Sequence, residues 1–163
     1  MVAVERLFEM WIAGRNRRWL LGRGGFEVGQ AHYPWMVLLH STFFVSALFE
    51  VWYLDRPLIP PLAMSMVALL VASMALRYWV VATLGNRWTT RVLLLPGEPR
   101  IEGGPFRFLK HPNYLAVVVE IAALPLVHTA WMTSVTYSLL NAALLRTRIR
   151  VEDEALDEAI RNA

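Results

Sequence analysis

The sequence predicts an all-α, polytopic membrane protein with about four to five membrane helices, the last two of them paired in a helical hairpin. Of its 163 residues, 56% are hydrophobic and only 18% are charged, and the apolar residues lie in long blocks. A soluble domain spreads its apolar residues more evenly and carries more charge. The length suits a single domain, residues 1–163.

The composition excludes several kinds of chemistry. The chain has no cysteine, so thiol catalysis, disulfide exchange and cysteine-based zinc or iron–sulfur sites are excluded. Its net charge of +3 could indicate nucleic acid binding. However, the basic residues flank apolar segments, where the excess of positive charge in cytoplasmic loops is the simpler explanation. We therefore expect no metal site and no nucleic acid partner.

Residues 1–32 are predicted to form an N-terminal interfacial helix and a basic loop. Val2–Ala13 places apolar side chains on one helical face, but it is shorter than the roughly 20 residues that a span needs. It therefore fits an interfacial helix or the tail of a first membrane helix. The loop that follows contains Arg15, Arg17, Arg18 and Arg23, broken by Gly22, Gly24 and Gly25.

Residues 33–84 are predicted to form two membrane spans. Tyr33–Tyr53 has aromatic residues at both ends, where they suit the membrane interfaces. Leu62–Leu84 is long enough to cross with some tilt. We interpret His40, inside the first span, as a hydrogen-bonded packing residue. Arg77 lies near the end of the second span, within reach of the interface by snorkelling.

Residues 85–163 are predicted to form a catalytic loop, a hairpin and a C-terminal helix. Gly85–Lys110 is a polar, basic loop in which Trp88–Leu95 is apolar enough to lie on the membrane surface. Tyr114–Val127 and Ala130–Leu145 are each near the lower length limit for crossing, and only two residues join them. We expect a tight hairpin, with a tip that only just reaches the far surface, and then an acidic amphipathic helix.

The arginine and lysine residues predict the orientation. Three basic groups fall on the same side of the membrane if two spans and a hairpin separate them, and that side is the cytoplasm. The groups lie before Tyr33, between Gly85 and Lys110, and after Leu145. Two polar clusters, one around His111 and one around Arg148, then meet at the cytoplasmic surface.

The first polar cluster is His111-Pro112-Asn113-Tyr114. Pro112 disfavours a helical conformation at His111 and suits the first turn of the next helix. Asn113 and Tyr114 then place hydrogen-bonding groups at the entrance of that helix. These residues could form a binding site or could anchor the helix at the interface, and both interpretations remain open.

The second cluster contains Arg148 and Glu152, four residues apart on a helix. On chemistry alone, a surface ion pair worth a few tenths of a kcal/mol is slightly favoured. The alternative is that the pair faces the other leg of the hairpin. Glu120 lies inside an apolar run, where an acid is costly unless it faces a cavity or a partner. A pair with Arg77 or His40 would give Glu120 a structural role.

Together the two clusters resemble the isoprenylcysteine carboxyl methyltransferase family. The stretch Gly104–Tyr114 (GPFRFLKHPNY) is similar to the family pattern G-P-[YF]-R-[YW]-x-R-H-P-x-Y. After the hairpin, Arg148-Ile149-x-x-Glu152-x-Glu154 is similar to R-x-x-x-E-E. The resemblance covers roughly the last 80 residues, and the two motifs at this separation are more specific than either alone. Ala116 and Lys110 depart from the usual residues, which bears on the acceptor more than on methyl transfer.

The resemblance implies a bacterial integral-membrane methyltransferase that uses S-adenosylmethionine (SAM) at the cytoplasmic face of the inner membrane. The N-terminal half is also similar to bacterial members of unassigned substrate, including those that methylate alkylpyrones. Carried over by motif, the cofactor-binding residues are Phe106, His111, Pro112, Asn113, Tyr114 and Glu152. The catalytic residues carried over in the same way are Arg148 and Glu152.

The chemistry of SAM fits these residue types. A carboxylate suits its cationic groups, an aromatic ring suits adenine and an arginine suits a carboxylate. Glu152, either Phe106 or Tyr114, and Arg148 could supply them. An acidic acceptor is already ionised near neutral pH, so positioning and desolvation would supply most of the catalysis.

We therefore expect an O-methyltransferase acting on a carboxylate or acidic hydroxyl of a lipophilic acceptor that enters from the bilayer, with membrane lipids around it. The alternatives are a phospholipid N-methyltransferase and a non-catalytic membrane scaffold. A relative of NADPH-dependent sterol reductases is a more distant possibility.

Overall fold

A computed structural model describes residues 2–98 and 101–161 and, within them, the side chains of residues 8–98 and 101–158. Within this part of the chain, five α-helices and two short strands follow one another. In chain order they are α1 (Val2–Gly22), β1 (Phe26–Val28), α2 (Tyr33–Tyr53), α3 (Pro60–Leu84), β2 (Val92–Leu94), α4 (Pro112–Leu126) and α5 (Trp131–Arg161). The all-α class is confirmed, with a small sheet that the sequence did not predict.

The first helix is longer than predicted. The expected end at Ala13 and basic loop from Arg15 are wrong, because α1 continues through the arginines to Gly22. Arginine, alanine and leucine are good helix formers, and Gly14 alone does not break the helix. The buried amide of Asn16 donates to the carbonyl oxygens of Gly85 and Trp88, at 3.0 and 2.8 Å. These bonds hold α1 against the end of α3.

Helix α1 lies beside the C-terminal half of α3 and runs in the same direction, since Glu9, Ala13 and Asn16 meet successively later residues of the chain. Ala13 packs in one core cluster with Val80 and Trp88, and Glu9 lies 3.5 Å from the guanidinium of Arg77. Glu9 is seven residues before Asn16, which places it about 10 Å further along the helix. The part of α1 around Glu9 therefore lies beside α3 at Arg77.

Helices α2 and α3 agree with the two predicted spans. The first coincides with Tyr33–Tyr53, and the second starts at Pro60, two residues before the predicted start. Within the described residues, these are the two helices that are long and apolar enough to cross a membrane. Only 22% and 17% of the residues in their most apolar stretches are buried in the protein. Most of their apolar side chains therefore face outward, as lipid contact requires.

The predicted hairpin is present, but its second leg does not stop at Leu145. Helix α5 runs unbroken for 31 residues from Trp131 to Arg161. The prediction of a separate C-terminal helix was therefore wrong. The sequence between these two residues has no glycine or proline, and its charged residues are good helix formers. A single helix carries both the apolar leg and the Arg148 cluster.

The tip of the hairpin meets the turn between α2 and α3. The hydroxyl of Thr129 donates to the carbonyl oxygen of Pro57 at 2.8 Å. The buried carboxylate of Glu50, near the end of α2, accepts the backbone N–H groups of Met132 and Thr133 at 3.2 and 2.6 Å. Free N–H groups at a helix start are natural partners for a carboxylate. These bonds tie the start of α5 to the end of α2.

The apolar stretch Trp88–Leu95 folds into the protein. The prediction that it lies on the membrane surface was wrong, because Trp88, Val92 and Leu95 are buried. Strand β2 pairs with β1 in antiparallel register, with Val28 opposite Val92. Pairing between distant segments satisfies the backbone groups of both strands.

A nearly buried acid, Glu27, locks this small sheet to α1. Its carboxylate accepts hydrogen bonds from Arg91 at 2.5 Å and from Arg17 at 3.2 Å. Burial acts to raise the pKa of Glu27, but the hydrogen bonds and charges of the two arginines outweigh it, so the pKa lies below its usual value. The ionised carboxylate therefore stabilises this arrangement.

Arg77 does not snorkel to the interface as predicted. Its side chain is buried, and its guanidinium forms two bonds with the carboxylate of Glu120, at 3.2 and 2.5 Å. Glu9 approaches the same guanidinium from α1. A charge inside an apolar helix bundle costs less when opposite charges surround it. The pair between Glu120 and Arg77, which the sequence left open, therefore joins α3 to α4.

Candidate active site

The turn before α4 is fixed against α3 by a glycine. Gly104 has a φ of +57°, and a β-carbon at this position would collide with the hydroxyl of Thr83. Only glycine combines this backbone conformation with so close an approach. The turn spans Gly104–Arg107 and leads Phe106 onto the core cluster that contains Ala13, Val80 and Trp88.

His111 has the conformation that the sequence predicted. Its φ and ψ are −133° and 65°, outside the helical region, and Pro112 opens α4. The imidazole stacks on Tyr114 with 5.4 Å between ring centroids, and its Nε2 lies 3.2 Å from the carboxylate of Asp153. The histidine ring is therefore held by Tyr114 of α4 and by Asp153 of α5.

Asp153 is a site residue that sequence reasoning missed. Besides contacting His111, it accepts a 2.6 Å bond from Lys110. Burial acts to raise its pKa, but the hydrogen bond from Lys110 and the neighbouring His111 outweigh this effect and hold the pKa below its usual value. Its position directly after Glu152, where the family pattern has its second acid, was the signal that could have identified it.

The hydroxyl of Tyr114 joins the two predicted clusters. It donates to the carboxylate of Glu152 and accepts a 2.8 Å bond from Nε of Arg148. Arg148 is only 6% exposed. The interpretation of Arg148 and Glu152 as a surface ion pair is therefore wrong, because the arginine faces the hairpin's other leg and meets Glu152 through Tyr114.

Two further partners of Arg148 come from distant parts of the chain. Its Nη2 donates to the carbonyl oxygen of Thr90 at 2.7 Å, and its Nη1 points at the sulfur of Met36 at 3.0 Å. Neither partner carries a sequence signal, because a backbone carbonyl and a methionine acquire this role only through the fold. One guanidinium therefore connects α5, α4, α2 and the segment before β2.

A cavity of about 370 Å³, which we call the loop-side cavity, lies between the loop before α4 and helix α5. A volume of this size is typical of a small-molecule site. All the predicted site residues line it, namely Phe106, His111, Pro112, Asn113, Tyr114, Arg148 and Glu152. Two of the residues that line it each carry a buried polar atom, the side-chain oxygen of Asn113 and the indole nitrogen of Trp88, that has no hydrogen-bond partner among the described residues. Buried polar atoms of this kind are costly unless a ligand or water satisfies them.

A second cavity of about 320 Å³, the helix-side cavity, lies among the helices. All five helices contribute to its largely apolar lining, with residues such as Met10, Phe43, Leu70, Ile121 and Leu145. His40 also lines it and donates from Nδ1 to the carbonyl oxygen of Met36 at 2.7 Å, as the packing interpretation expects.

The two cavities share a wall. Five residues line both of them: Trp88, Thr89, Asn113, Tyr114 and Arg148. Three of these five residues belong to the motifs that the sequence singled out. The shared wall is the place where a polar ligand on one side and an apolar ligand on the other would come closest.

The helical fold and its two apolar spans are those of a membrane-associated protein, and the two cavities together make up its candidate site. The model of the isoprenylcysteine carboxyl methyltransferase family matches residues 66–158, more than half of the chain. The chain belongs to this family, and it is therefore methyltransferase-like in function.

Two relatives match along nearly their whole length. "Uncharacterized protein YpbQ" of Bacillus subtilis (strain 168) is 36% identical over 97% of this chain and 94% of its own length. An "Uncharacterized protein" of Haemophilus influenzae is 23% identical over 93% of this chain and 88% of its own length. No solved structure matches the chain.

Proposed function

We propose that the chain is an integral-membrane, SAM-dependent O-methyltransferase that acts on a carboxylate or acidic hydroxyl of a lipophilic acceptor. The observation that carries this proposal is the wall shared by the loop-side and helix-side cavities. The motif residues of a methyltransferase family lie around one cavity, and apolar side chains from all five helices surround the other. A water-soluble cofactor and a lipophilic acceptor would enter such a site from different sides and meet at the shared wall.

The loop-side cavity fits SAM in its chemistry. The unpartnered oxygen of Asn113 needs a donor, and the unpartnered indole N–H of Trp88 needs an acceptor. SAM carries both kinds of group, in its amino, hydroxyl, carboxylate and adenine parts. Glu152 offers a carboxylate for a cationic group. When bound, SAM supplies a methyl group activated by a positively charged sulfur.

Phe106 is better placed than Tyr114 to receive adenine. The ring of Tyr114 already stacks on His111, and the guanidinium carbon of Arg148 lies 5.4 Å from its centroid. Phe106 is only partly buried and lines the loop-side cavity. An aromatic face beside a cavity is a favourable surface for a flat base.

The residues on the shared wall would contribute positioning and electrostatics. Tyr114 is held by His111, Arg148 and Glu152, so it is a rigid part of the wall. Holding two reactants in line and excluding water removes much of the barrier to a displacement reaction. An acceptor that is ionised near neutral pH needs no strong general base.

We further propose that the site faces the cytoplasm in the inner membrane of a bacterium, because the chain's three basic groups flank the segments that form the site, and an excess of arginine and lysine is typical of the cytoplasmic side. Labelling of single cysteines introduced at Glu98 and Glu158, both exposed, tests this orientation. Both positions should react from the cytoplasmic side. Reaction of the two positions from opposite sides would separate the two motifs and reject the site.

The decisive test of activity uses methyl-labelled SAM. Membranes that contain the chain are incubated with it, and the lipid extract is separated to identify the labelled product. We expect a methyl ester or methyl ether of a lipophilic acid, absent with Glu152→Gln. A labelled phospholipid headgroup would instead support the N-methyltransferase alternative. A folded protein that binds no SAM in detergent would support the scaffold alternative.

A further inference from the structure

The turn that leads into the candidate site, residues 107–110, is exposed along its whole length, and we call it the Phe108 turn. It places a phenylalanine and a leucine between an arginine and a lysine, and Phe108 is 76% exposed. The sequence assigned the membrane contact of this loop to residues 88–95, which instead fold into the protein. The Phe108 turn is therefore the part of the loop that can meet another molecule.

The Phe108 turn lies beside the apolar part of α3. The rings of Phe108 and Trp79 are in contact, with 6.4 Å between their centroids. Trp79 is five residues before the end of α3 at Leu84, or about 7.5 Å along the helix axis. Gly104, just before the turn, approaches Thr83 closely. The turn therefore runs back along the last turns of a helix that is apolar enough to cross a membrane.

Aromatic side chains around Phe108 form an exposed patch. Tyr78 and Trp79 of α3 are 49% and 48% exposed. Tyrosine and tryptophan are enriched where a bilayer meets water, and phenylalanine favours its apolar interior. An apolar patch of this kind marks a contact surface. At the end of a spanning helix, the bilayer itself covers such a patch.

The basic side chains of the turn determine which lipid fits. Arg107 is exposed and forms no ion pair with any other described residue. Lys110 pairs with Asp153, but its side chain is still 57% exposed. Residues 103–110 contain no acidic residue. Arginine and lysine side chains at the level of the lipid phosphates favour anionic lipids.

We propose that the Phe108 turn is a binding surface for anionic phospholipids of the adjoining leaflet. Phe108 and Leu109 lie among the acyl chains, and Arg107 lies at the phosphates. Because His111 follows the turn directly and lines the loop-side cavity, this contact holds that side of the cavity at the membrane surface. The proposal does not depend on methyl transfer.

The first measurement determines whether the turn is inserted. The chain has no cysteine, so a fluorophore can be attached at a single position, in Phe108→Cys or in Glu98→Cys, a control in the same loop. The full chain is reconstituted in phosphatidylcholine bilayers without SAM. We expect brominated acyl chains to quench the label at position 108 and iodide to leave it unaffected. The label at position 98 should show the opposite pattern.

The second measurement compares two headgroups. Brominated phosphatidylglycerol or brominated phosphatidylcholine is included, at the same mole fraction, in phosphatidylcholine bilayers that contain the chain labelled at position 108. The quenching by each lipid gives the enrichment of the anionic lipid beside the turn. We expect an enrichment of at least about fivefold at low salt, or about 1 kcal/mol. It should decrease as the salt concentration rises, because salt screens the charges.

Two substitutions in the labelled chain give a matched pair. Arg107→Gln should reduce the enrichment to within about twofold. Arg146→Gln removes the same charge from an exposed position on α5 and should leave the enrichment nearly unchanged. Thermal unfolding in detergent reports whether each variant is folded.

Three results would overturn the proposal. Equal quenching by iodide at positions 108 and 98 would place the turn in water. Equal quenching by the two brominated lipids would show an apolar contact without headgroup binding. An equal loss of enrichment in the two variants would show that the overall charge of the protein attracts the lipid. Failure of the proposed function is distinct, because none of these measurements uses SAM or an acceptor.

Discussion

The regions around Arg77 and Arg148 contain the same side chain at the same depth of burial, yet they are built for different tasks. Around Arg77, carboxylates from α1 and α4 meet the guanidinium and join three helices. Around Arg148, neutral groups hold the guanidinium in place without direct charge compensation. A buried arginine with carboxylate partners is part of the scaffold, and one held by neutral groups is prepared for an anion.

The largest effect is expected when the ion pair between Arg77 and Glu120 is broken. Glu120→Ala leaves the buried guanidinium of Arg77 with Glu9 at 3.5 Å as its remaining ion-pair partner. Breaking such a pair should lower the free energy of unfolding by about 3 kcal/mol. Thermal unfolding in detergent measures this loss.

The matched control replaces all three charged groups. Because apolar side chains leave no uncompensated charge in this cluster, Arg77→Met combined with Glu120→Leu and Glu9→Leu should regain more than half of the lost stability. A Glu120→Ala protein with normal stability and no methyl transfer would instead place Glu120 in the active site.

The second prediction concerns Arg148, whose guanidinium is held by neutral groups. Arg148→Lys keeps the charge but cannot reproduce three directed hydrogen bonds, so methyl transfer should fall by more than about tenfold, or about 1.4 kcal/mol in transition-state stabilisation. Arg146→Lys is the control, because Arg146 is exposed and lies outside the motif. Equal initial rates for the two variants, measured with the same acceptor at saturating SAM, would remove Arg148 from the site.

The third prediction extends the comparison to the neighbours of Arg148. His111→Ala and Glu152→Ala should each weaken SAM binding by at least about tenfold, or about 1.4 kcal/mol. Both residues line the loop-side cavity, and both contact the ring or hydroxyl of Tyr114. Calorimetry on folded variants measures the affinity, and an unchanged value would reject the cofactor assignment.

The smallest effect is expected at Asp153, which acts on the cofactor site through His111. Asp153→Asn keeps the size but weakens the contact that orients the imidazole, so SAM affinity should fall by about threefold, or about 0.65 kcal/mol. A loss equal to that of His111→Ala would show instead that Asp153 contacts the cofactor directly.

The same substitution should also change the pH dependence of the protein's stability. Because the pKa of Asp153 is lowered in the folded state, its stabilising effect is present above the unfolded value, about 3.9. That effect is lost as the pH falls through the lower, folded value. Asp153→Asn should remove this loss in acid, which unfolding curves at several acidic pH values can measure. Near neutral pH the variant's stability should show no added pH dependence.

Parts of the fold were predictable because they depend on local sequence. The bounds of α2 were predicted correctly and those of α3 to within two residues, since long apolar stretches with aromatic or proline ends specify membrane helices. The break at His111 was also predictable, because proline restricts the residue before it. The motif residues around the loop-side cavity could also be named, because the two motifs are local sequence patterns that resemble those of a known family. The roles of these residues stay predictions.

Other features depended on groups that are distant in sequence. From sequence alone, strand β2 is predicted to lie on the membrane surface, because its hydrogen-bond partners belong to the distant strand β1. Arg148 is likewise predicted to be a surface arginine, because its partners Tyr114, Thr90 and Met36 are distant in sequence. No local pattern records which carbonyl or sulfur will meet a guanidinium.

The sequence by itself therefore determined the two long apolar helices, the break before α4 and the family that the motifs resemble. Hydrophobic periodicity and proline restrictions act within one segment, so they can be read without the rest of the chain. The tertiary structure decided that Arg77 is compensated and Arg148 is not. The energy of a buried charge depends on every group within a few ångströms, and only the packing of five helices brings those groups together.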